Sequence, residues 1–364
     1  METIISRIDM EKIHTLQDIM SDKETSDIID KASDILRNGG LVAFPTETVY
    51  GLGGDALDAE ASGKIYRAKG RPSDNPLIVH IAEEKALYDI AAQVPDVALK
   101  LSQAFWPGPL TMILKKQGKV PDSITGGLNS VAIRMPSNIV AMALIKKSGV
   151  YVAAPSANTS GRPSPTTAAH VEEDLSGKID MIIDGGAVDI GLESTIVDLT
   201  EEVPVILRPG YITKEMLEAV VGHVETDKGI REDNNGEAPK APGMKYRHYA
   251  PCGKLTIVEA ENGDYEKAAA VINSMAQEKM AQGYKVGILT TDENKNFYDC
   301  GAAVMSVGNR REEISIASHL YAALREFDNI HAEYIYAESF SRENVGQAIM
   351  NRLMKAAGGS IIKV

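Results

Sequence analysis

Residues 41–54 have the sequence LVAFPTETVYGLGG. The apolar run 41–44 has the length and composition of a buried strand, and two threonines and a glutamate follow it directly. Ligands of open α/β sheets bind beyond the carboxyl ends of strands, so the segment is a candidate binding site. It offers two hydroxyls, the Glu47 carboxylate and close backbone approach at Gly51. The alternative is a tight turn in which a threonine caps a helix.

Alternating strands and helices extend from this segment in both directions. Residues 26–37 place apolar side chains on one helical face and end at two glycines, and residues 59–69 end at Gly70. Further strands are predicted at 77–81, 111–115, 131–134, 151–154, 181–184, 195–199 and 203–207. Further helices are predicted at 96–105, 138–147, 166–175 and 214–221. This pattern predicts an α/β domain with a mixed sheet.

The pattern stops after Gly222, and a second α/β pattern follows a linker. Residues 227–242 are polar and rich in Gly, Pro and Asn, whereas 241–251 (APGMKYRHYAP) are basic and aromatic. Strands are then predicted at 254–258, 285–289 and 334–337, and helices at 265–280, 312–327 and 344–356. The predicted organisation is a first domain over 1–226, a linker over 227–252 and a smaller Rossmann-like α/β domain over 253–364.

Composition restricts the classes of function. The chain has 364 residues with 44% hydrophobic and 24% charged, which is typical of a core-forming protein. Its net charge of −13 argues against broad non-specific nucleic-acid binding. There is neither an apolar run of membrane-spanning length nor a secretion signal, so the cytoplasm is expected and no membrane association. Two cysteines are too few for a disulfide framework.

Several common catalytic motifs are absent from the sequence. There is no GxxxxGK[ST] loop, no HExxH and no GxSxG, which disfavours P-loop enzymes, zinc sites and serine hydrolases. Residues 51–54 (GLGG) resemble a dinucleotide fingerprint only loosely, because no acidic residue follows at the usual distance.

Polar residues interrupt apolar segments at further places. In residues 69–76 (KGRPSDNP), Lys69 and Arg71 can reach one polyanion, although Lys69 alone would also suit a solvated helix end. His80 ends the next strand, where an ordinary partly buried histidine is the simpler interpretation. Arg134 ends another, so a buried guanidinium there needs an anion, either a ligand carboxylate or a structural Asp or Glu. Residues 153–161 (AAPSANTSG) supply small side chains and short donors.

Taken together and in this order, these segments resemble the YrdC-type threonylcarbamoyl-AMP synthases. The resemblance rests on PTETVYGL at 45–52, KxR at 69–71, WPGPLT at 106–111, SxN at 156–158, ST at 194–195 and LRPG at 207–210. The linker and second α/β domain are similar to the longer, two-domain form. The family usually has Ser where this chain has Ala241, which affects one linker hydroxyl.

The resemblance implies a YrdC-like twisted mixed sheet with flanking helices around a concave cleft. It also implies a nucleotidyltransferase that joins L-threonine, bicarbonate or CO2, and ATP into threonylcarbamoyl-adenylate and releases pyrophosphate. The product serves threonylcarbamoyladenosine modification of tRNA, so a threonylcarbamoyl transferase is an implied partner and contact with tRNA itself is indirect or weak. Mg²⁺ is expected on the ATP triphosphate, with no metal site made by the protein alone.

The resemblance also assigns residues. Threonine would be held by Thr48, His80, Arg134, the Ala154 backbone and Ser194. ATP would be held by Arg71, Asn75, Ser130, Ser156, Ser164, Arg208 and the linker tyrosines Tyr246 and Tyr249. The catalytic residues would be Lys69, Arg71, Ser156 and Asn158.

Two questions stay open from the sequence. The linker tyrosines either close as a lid over ATP or dock one domain on the other. A double-stranded-RNA-binding module is the alternative function, which the net charge disfavours. A carbamoyl-transfer domain of a larger maturation enzyme would require zinc fingers and an acylphosphatase-like region, and the sequence has neither.

Overall fold

The structure is a computed structural model and describes residues 2–227 and 248–364. Within these residues the chain forms two compact units. The first contains residues 2–160, 165–189 and 193–227, and the second contains 161–164, 190–192 and 248–364. Two short segments of the N-terminal region thus belong to the second unit. Most of the predicted linker lies outside the described residues, so the predicted domain boundaries remain predictions.

The first unit is a mixed sheet with helices. Its strands are β1 (Ile4–Arg7), β2 (Val42–Phe44), β3 (Gly51–Asp55), β4 (Ile78–His80), β5 (Leu110–Lys115), β6 (Ser130–Arg134), β7 (Val152–Ala153), β8 (Met181–Asp184), β9 (Thr195–Asp198), β10 (Val205–Arg208) and β11 (Glu225–Thr226). Its helices are α1 (Leu16–Ser21), α2 (Lys23–Arg37), α3 (Ala59–Lys69), α4 (Leu87–Ile90), α5 (Asp96–Phe105), α6 (Asp122–Thr125), α7 (Ile139–Ser148), α8 (Ala168–Leu175) and α9 (Lys214–Val221).

The strands are ordered β1-β8-β2-β3-β7-β4-β6-β5-β9-β10-β11 in the sheet. The central pair β4 and β6 is parallel, while β7 and β5 pair with them antiparallel. One face is covered by α2 and α7, whose apolar side chains pack on Val42 and Phe44 of β2. Full burial of each such Ile or Leu stabilises the fold by about 1.5–3 kcal/mol. The sheet thus holds the strand ends rigidly in register.

The glycines of residues 51–54 serve the sheet rather than a dinucleotide. Gly51–Asp55 forms β3, which pairs antiparallel with β2 and makes residues 45–50 the connecting loop of a hairpin. A Cβ at Gly53 would come within 2.7 Å of Val152 Cγ1 and 2.8 Å of a Phe44 ring carbon. The alternative of a helix-capping threonine is therefore wrong, because a strand follows the loop.

The second unit is a parallel sheet with crossover helices. It contains β12 (Lys254–Glu259), β13 (Val286–Thr290), β14 (Ala303–Ser306), β15 (Tyr334–Glu338) and β16 (Ile361–Lys363), with α10 (Tyr265–Ala281), α11 (Glu313–Asn329) and α12 (Asn344–Ala356). The strand order is β14-β13-β15-β12-β16, and all pairs are parallel. This confirms the Rossmann-like prediction in architecture, although β15 stands between β13 and β12.

Candidate active site

The ends of two parallel strands bring together the residues predicted to bind L-threonine. His80 ends β4, Arg134 ends β6, and the two are register partners. Thr48 reaches them from the β2–β3 loop, and Arg134 Nη1 donates a hydrogen bond to Thr48 Oγ1 at 2.9 Å. Ala154 follows β7, and its backbone N–H donates to the Ile78 carbonyl at 2.9 Å. Residues separated by more than 100 positions in sequence thus surround one point at the sheet edge.

Arg134 has a protein counter-ion, Glu47. Arg134 Nη2 lies 2.8 Å from Glu47 Oε1, and the two side chains are only 5% and 6% exposed. The groups are not aligned for a hydrogen bond, so among the described residues Arg134 Nε and Nη2 and both Glu47 oxygens make none. Buried polar groups are rarely left in this state. The structural carboxylate that the sequence left open is therefore present, and the guanidinium still has donors for a ligand.

His80 is uncharged at neutral pH. Burial, followed by the nearby Arg134 charge, lowers the pKa of His80 to about 3. Its Nδ1 lies 3.1 Å from the Ile78 carbonyl oxygen, and its ring lies edge-on to Phe44. Backbone groups of Ile78 and Val152 both bond the ring, so the neutral imidazole is fixed in place by the sheet. His80 therefore lines the site without adding charge.

A hydrogen-bonded row continues across the sheet to Arg208. Thr111 on β5 is the antiparallel partner of Arg134, and its Oγ1 lies 2.7 Å from Ser194 Oγ. Arg208 at the end of β10 donates from Nε to the Ser194 carbonyl at 3.0 Å and from Nη2 to Ser194 Oγ at 3.2 Å. Ser194 is thus fixed between a hydroxyl and a guanidinium, close to the Arg134 end of the sheet.

Lys69 is buried, so the interpretation as a solvated helix end is wrong. Lys69 is the last residue of α3, and only 2% of its surface is exposed. Nζ donates to the carbonyls of Ser156 and Asn158 and lies 3.4 Å from Asn158 Oδ1. Ser156 Oγ donates to the same Oδ1 at 2.6 Å. Lys69 therefore contacts two of the other residues predicted to be catalytic, Ser156 and Asn158, and also shapes their loop.

Arg71, Asn75 and Ser130 form the other end of the site. Arg71 donates from Nε to the Asn75 carbonyl at 3.3 Å and from Nη2 to the Pro76 carbonyl at 3.0 Å. Asn75 is buried, and its Oδ1 has no hydrogen-bond partner within the described residues. Ala132 pairs with Ile78, which places Ser130 level with this loop. Along β6 it lies roughly 13 Å from Arg134 at 3.3 Å per residue.

Backbone hydrogen bonds join the hairpin loop to the small-residue loop after β7. Leu52 N–H donates to the Pro155 carbonyl at 2.8 Å, and Ala157 N–H to the Tyr50 carbonyl at 2.8 Å. A bridge also pairs Gly51 with Ser156. The glycine therefore does allow close backbone approach, but to the protein's own loop. The two candidate segments, which are about 100 residues apart in sequence, are thus joined by backbone hydrogen bonds into one site.

Three residues predicted to hold ATP do not belong to the described part of the first unit. Ser164 and Tyr249 belong to the second unit, and Tyr246 lies outside the described residues. The Tyr249 ring stacks on Tyr321 at 5.3 Å and lies 5.7 Å from the Arg352 guanidinium. In this structure Tyr249 therefore packs within the second unit, and all three assignments to ATP stay predictions.

Two features of the site were not predicted from the sequence. One is the supporting role of Thr111, and the other is the pairing of Arg134 with Glu47. Thr111 is the one polar residue among the buried positions 110–114 of β5, a signal that was available. The Glu47 pairing depends on a contact across 87 positions of sequence, for which no local pattern exists. Among residues 2–227 and 248–364, no three His, Cys, Asp or Glu side chains are grouped as a metal site. No helix in these ranges is long and apolar enough to cross a membrane.

Comparisons with known proteins identify the family of this chain. A family model described as telomere recombination (Sua5, YciO and YrdC) matches residues 34–210, and one described as threonylcarbamoyl-AMP synthase, C-terminal domain, matches 212–358. The chain is 50% identical to threonylcarbamoyl-AMP synthase of Bacillus subtilis, with 95% of this chain and 98% of the relative covered. It is 47% identical to that of Pyrococcus abyssi, with 92% and 95% covered.

A solved structure matches both units. The crystal structure of P. abyssi Sua5 in complex with L-threonine superposes with a TM-score of 0.89 at 43% identity, with both chains covered completely. The whole architecture, including the second unit, is therefore shared with a threonine-binding protein.

Proposed function

The chain belongs to the threonylcarbamoyl-AMP synthase family in its two-domain form, and on that premise we propose that it makes threonylcarbamoyl-adenylate. The substrates are L-threonine, bicarbonate or CO2, and ATP, and the second product is pyrophosphate. The adenylate would serve threonylcarbamoylation of tRNA through a separate transferase. The proposed compartment is the cytoplasm.

The Arg134 end of the site carries the assignment of threonine. A buried guanidinium with two unsatisfied nitrogens suits the substrate carboxylate. Thr48 and Ser194 offer hydroxyls beside it, and His80 stays neutral, so this imidazole adds no positive charge next to the substrate amine. Glu47, 2.8 Å from the guanidinium, balances its charge. We assign Thr48, His80, Arg134, the Ala154 backbone and Ser194 to threonine on this basis.

The Lys69 and Arg71 end carries the assignment of ATP. The reaction has two steps. The neutral threonine amine adds to CO2 and releases one N–H proton to solvent, which gives the carbamate. A carbamate oxygen then attacks the α-phosphorus as the bond to pyrophosphate breaks. Positioning and positive charge matter more than a strong base for such a transfer. Arg71 supplies charge and Asn75 a polar group at this end, and Ser130 lies about 13 Å from Arg134 along β6. Arg208 supplies further charge from its position beside Ser194.

The catalytic roles divide between direct contact and positioning. Arg71 is the proposed contact to the phosphates, with Ser156 and Asn158 beside it. Lys69 already donates to the Ser156 and Asn158 carbonyls, so it holds their loop and adds charge nearby. Mg²⁺ would be carried by the triphosphate, where it neutralises developing charge.

A direct test is pyrophosphate release by the purified chain. We expect release only when threonine, bicarbonate and ATP are present together, and background release when any one is omitted. Pyrophosphate release from ATP without threonine would contradict the proposed reaction. The RNA-binding alternative has no support in the comparisons, and a direct tRNA contact or a complex with the transferase stays a proposal.

A further inference from the structure

The second unit has a crevice at the carboxyl edge of its parallel sheet. β12 and β15 are neighbours there, but the chain leaves them in opposite directions. From β12 it crosses to β13 on one side, and from β15 it crosses to β16 on the other. The crossover from β12 passes β15 and the crossover from β15 passes β12, so the loops that follow the two strands lie close together at the carboxyl edge. Ligands of open α/β sheets bind at this edge.

A cavity of about 250 Å³ occupies this position. Glu259 lines it from the end of β12, Ser341 and Arg342 from the loop after β15, and Glu313 from the start of α11. This volume has room for a solute the size of an amino acid.

A buried hydrogen-bond network fixes the floor of this cavity. The Glu338 side chain, at the end of β15, is 1% exposed. It accepts hydrogen bonds from Thr290 Oγ1 at 2.7 Å, Asn294 Nδ2 at 2.9 Å and the Tyr298 hydroxyl at 2.6 Å, and it pairs with Arg310. A carboxylate with four donors in a dry interior holds its partners in one arrangement.

Arg310 is the member of this network that lines the cavity. Its Nη1 donates to the Ser339 carbonyl at 2.9 Å, and its guanidinium lies 4.1 Å from the centre of the Tyr265 ring. Because Glu338 balances its charge, Arg310 contributes a rigid polar wall rather than a net positive charge. Such preorganisation is typical of ligand sites.

The remaining charges around the cavity are of both signs. Arg342 donates from Nε and Nη2 to Glu259 Oε1 at 3.0 and 2.7 Å, while its side chain is 55% exposed. Glu313 has no cation within ion-pair distance among the described residues. A polyphosphate would meet the Glu259 and Glu313 carboxylates, and a simple amine would meet the Arg342 guanidinium, so a ligand of one sign is opposed by like charge.

We propose that this crevice is a second binding site, which takes a small zwitterion of amino-acid size. The carboxylate of the ligand pairs with Arg342 and its ammonium with Glu313, above the floor made by Arg310. The site lies wholly within the second unit, so the proposal stands independently of the reaction assigned to the first.

The test is amide hydrogen exchange of the full chain in the presence of single proteinogenic amino acids. At least one is expected to slow exchange over residues 339–346. Arg342→Met and Glu313→Gln are expected to raise the concentration needed for half-protection tenfold or more. Arg311→Met, which replaces a neighbouring arginine that does not line the cavity, is expected to leave it unchanged. Any amino acid bound in the first unit affects all variants alike.

Two results would overturn the proposal. One is that no amino acid protects residues 339–346, including the case in which only phosphate or pyrophosphate does. The other is protection that is equal in wild type and Arg342→Met. Because the Arg342 side chain is more than half exposed, this variant is expected to fold even if Glu313→Gln does not.

Discussion

Replacement of Arg134 is expected to affect both stability and threonine binding. Its guanidinium lies beside the Glu47 carboxylate and is also the proposed contact of the substrate carboxylate. In Arg134→Met the Glu47 carboxylate, 6% exposed, loses its counter-ion. Removal of one partner from a buried ion pair costs about 3–5 kcal/mol of unfolding free energy. The single variant is therefore expected to be strongly destabilised, and a loss of threonine binding in it would prove little.

The double variant Glu47→Gln/Arg134→Met separates the two effects. It leaves no unpaired buried charge, so we expect it to recover most of the stability lost by the single variant. Threonine affinity should stay reduced, since the loss of a buried charge-assisted pair costs about 2–5 kcal/mol. That energy corresponds to about a 30-fold to 5,000-fold increase in Kd.

Urea unfolding and calorimetry with threonine and with ATP measure these quantities. Glu47→Gln alone is the matched control: it also loses one partner of the buried pair and should be destabilised, but it keeps the guanidinium, so the folded fraction should bind threonine at least as well as the wild type. The ATP affinity of the double variant should be within about threefold of wild type. A folded double variant that binds threonine normally would refute the assignment and leave Arg134 as the structural partner of Glu47 only.

Four further outcomes are expected. Lys69→Ala should reduce turnover on the order of 100-fold and should also lower the free energy of unfolding, by about 1–3 kcal/mol for each carbonyl left unpaired. Arg71→Ala should reduce turnover with a smaller change in the urea midpoint. Equal stability of the two variants would contradict the loop-holding role of Lys69. The pKa of His80 is lower in the folded than in the unfolded chain, so its contribution to stability is present above about pH 6.5 and is lost as the pH falls towards 3. The free energy of unfolding should fall by up to about 1.4 kcal/mol per pH unit in this range. His80→Asn should flatten this slope, and an unchanged slope would show that another group causes it. Ser194→Ala should weaken threonine binding, with about 1 kcal/mol lost from folding, whereas unaltered affinity would remove Ser194 from the site. If the linker closes as a lid, ATP with threonine should slow hydrogen exchange over residues 243–250, and a chain ending at Gly222 should fold but turn over poorly. Unchanged exchange of these residues, together with full activity of the shortened chain, would leave only the docking interpretation of the linker.

Periodicity was sufficient for elements with a strong apolar pattern. The helices 59–69, 96–105, 214–221 and 344–356 were predicted with the bounds that the structure has, and so was the strand 181–184. The missed strands lack that pattern. β3 is rich in glycine, a poor strand former, and β1 is a half-exposed edge strand. Their pairing partners, rather than their own residues, make them strands.

The chemistry of the site was predictable as residue types at strand ends, whereas its pairings were not. Arg134 needed an anion, but only the fold shows that Glu47 supplies one. Lys69 looked like an exposed residue at a helix end, yet its ammonium bonds a loop almost 90 positions away. Local sequence carries no information about such contacts, because they depend on which strands become neighbours.

The most direct test of the central claim is identification of the product by mass spectrometry. The purified chain, incubated with ATP, L-threonine and ¹³C-labelled bicarbonate, should form threonylcarbamoyl-adenylate that carries one labelled carbon, in equal amount to pyrophosphate. The Arg71→Ala variant should form it at least about 100-fold more slowly. Formation of unlabelled threonyl-adenylate, or of AMP without a labelled adenylate at early times, would contradict the account.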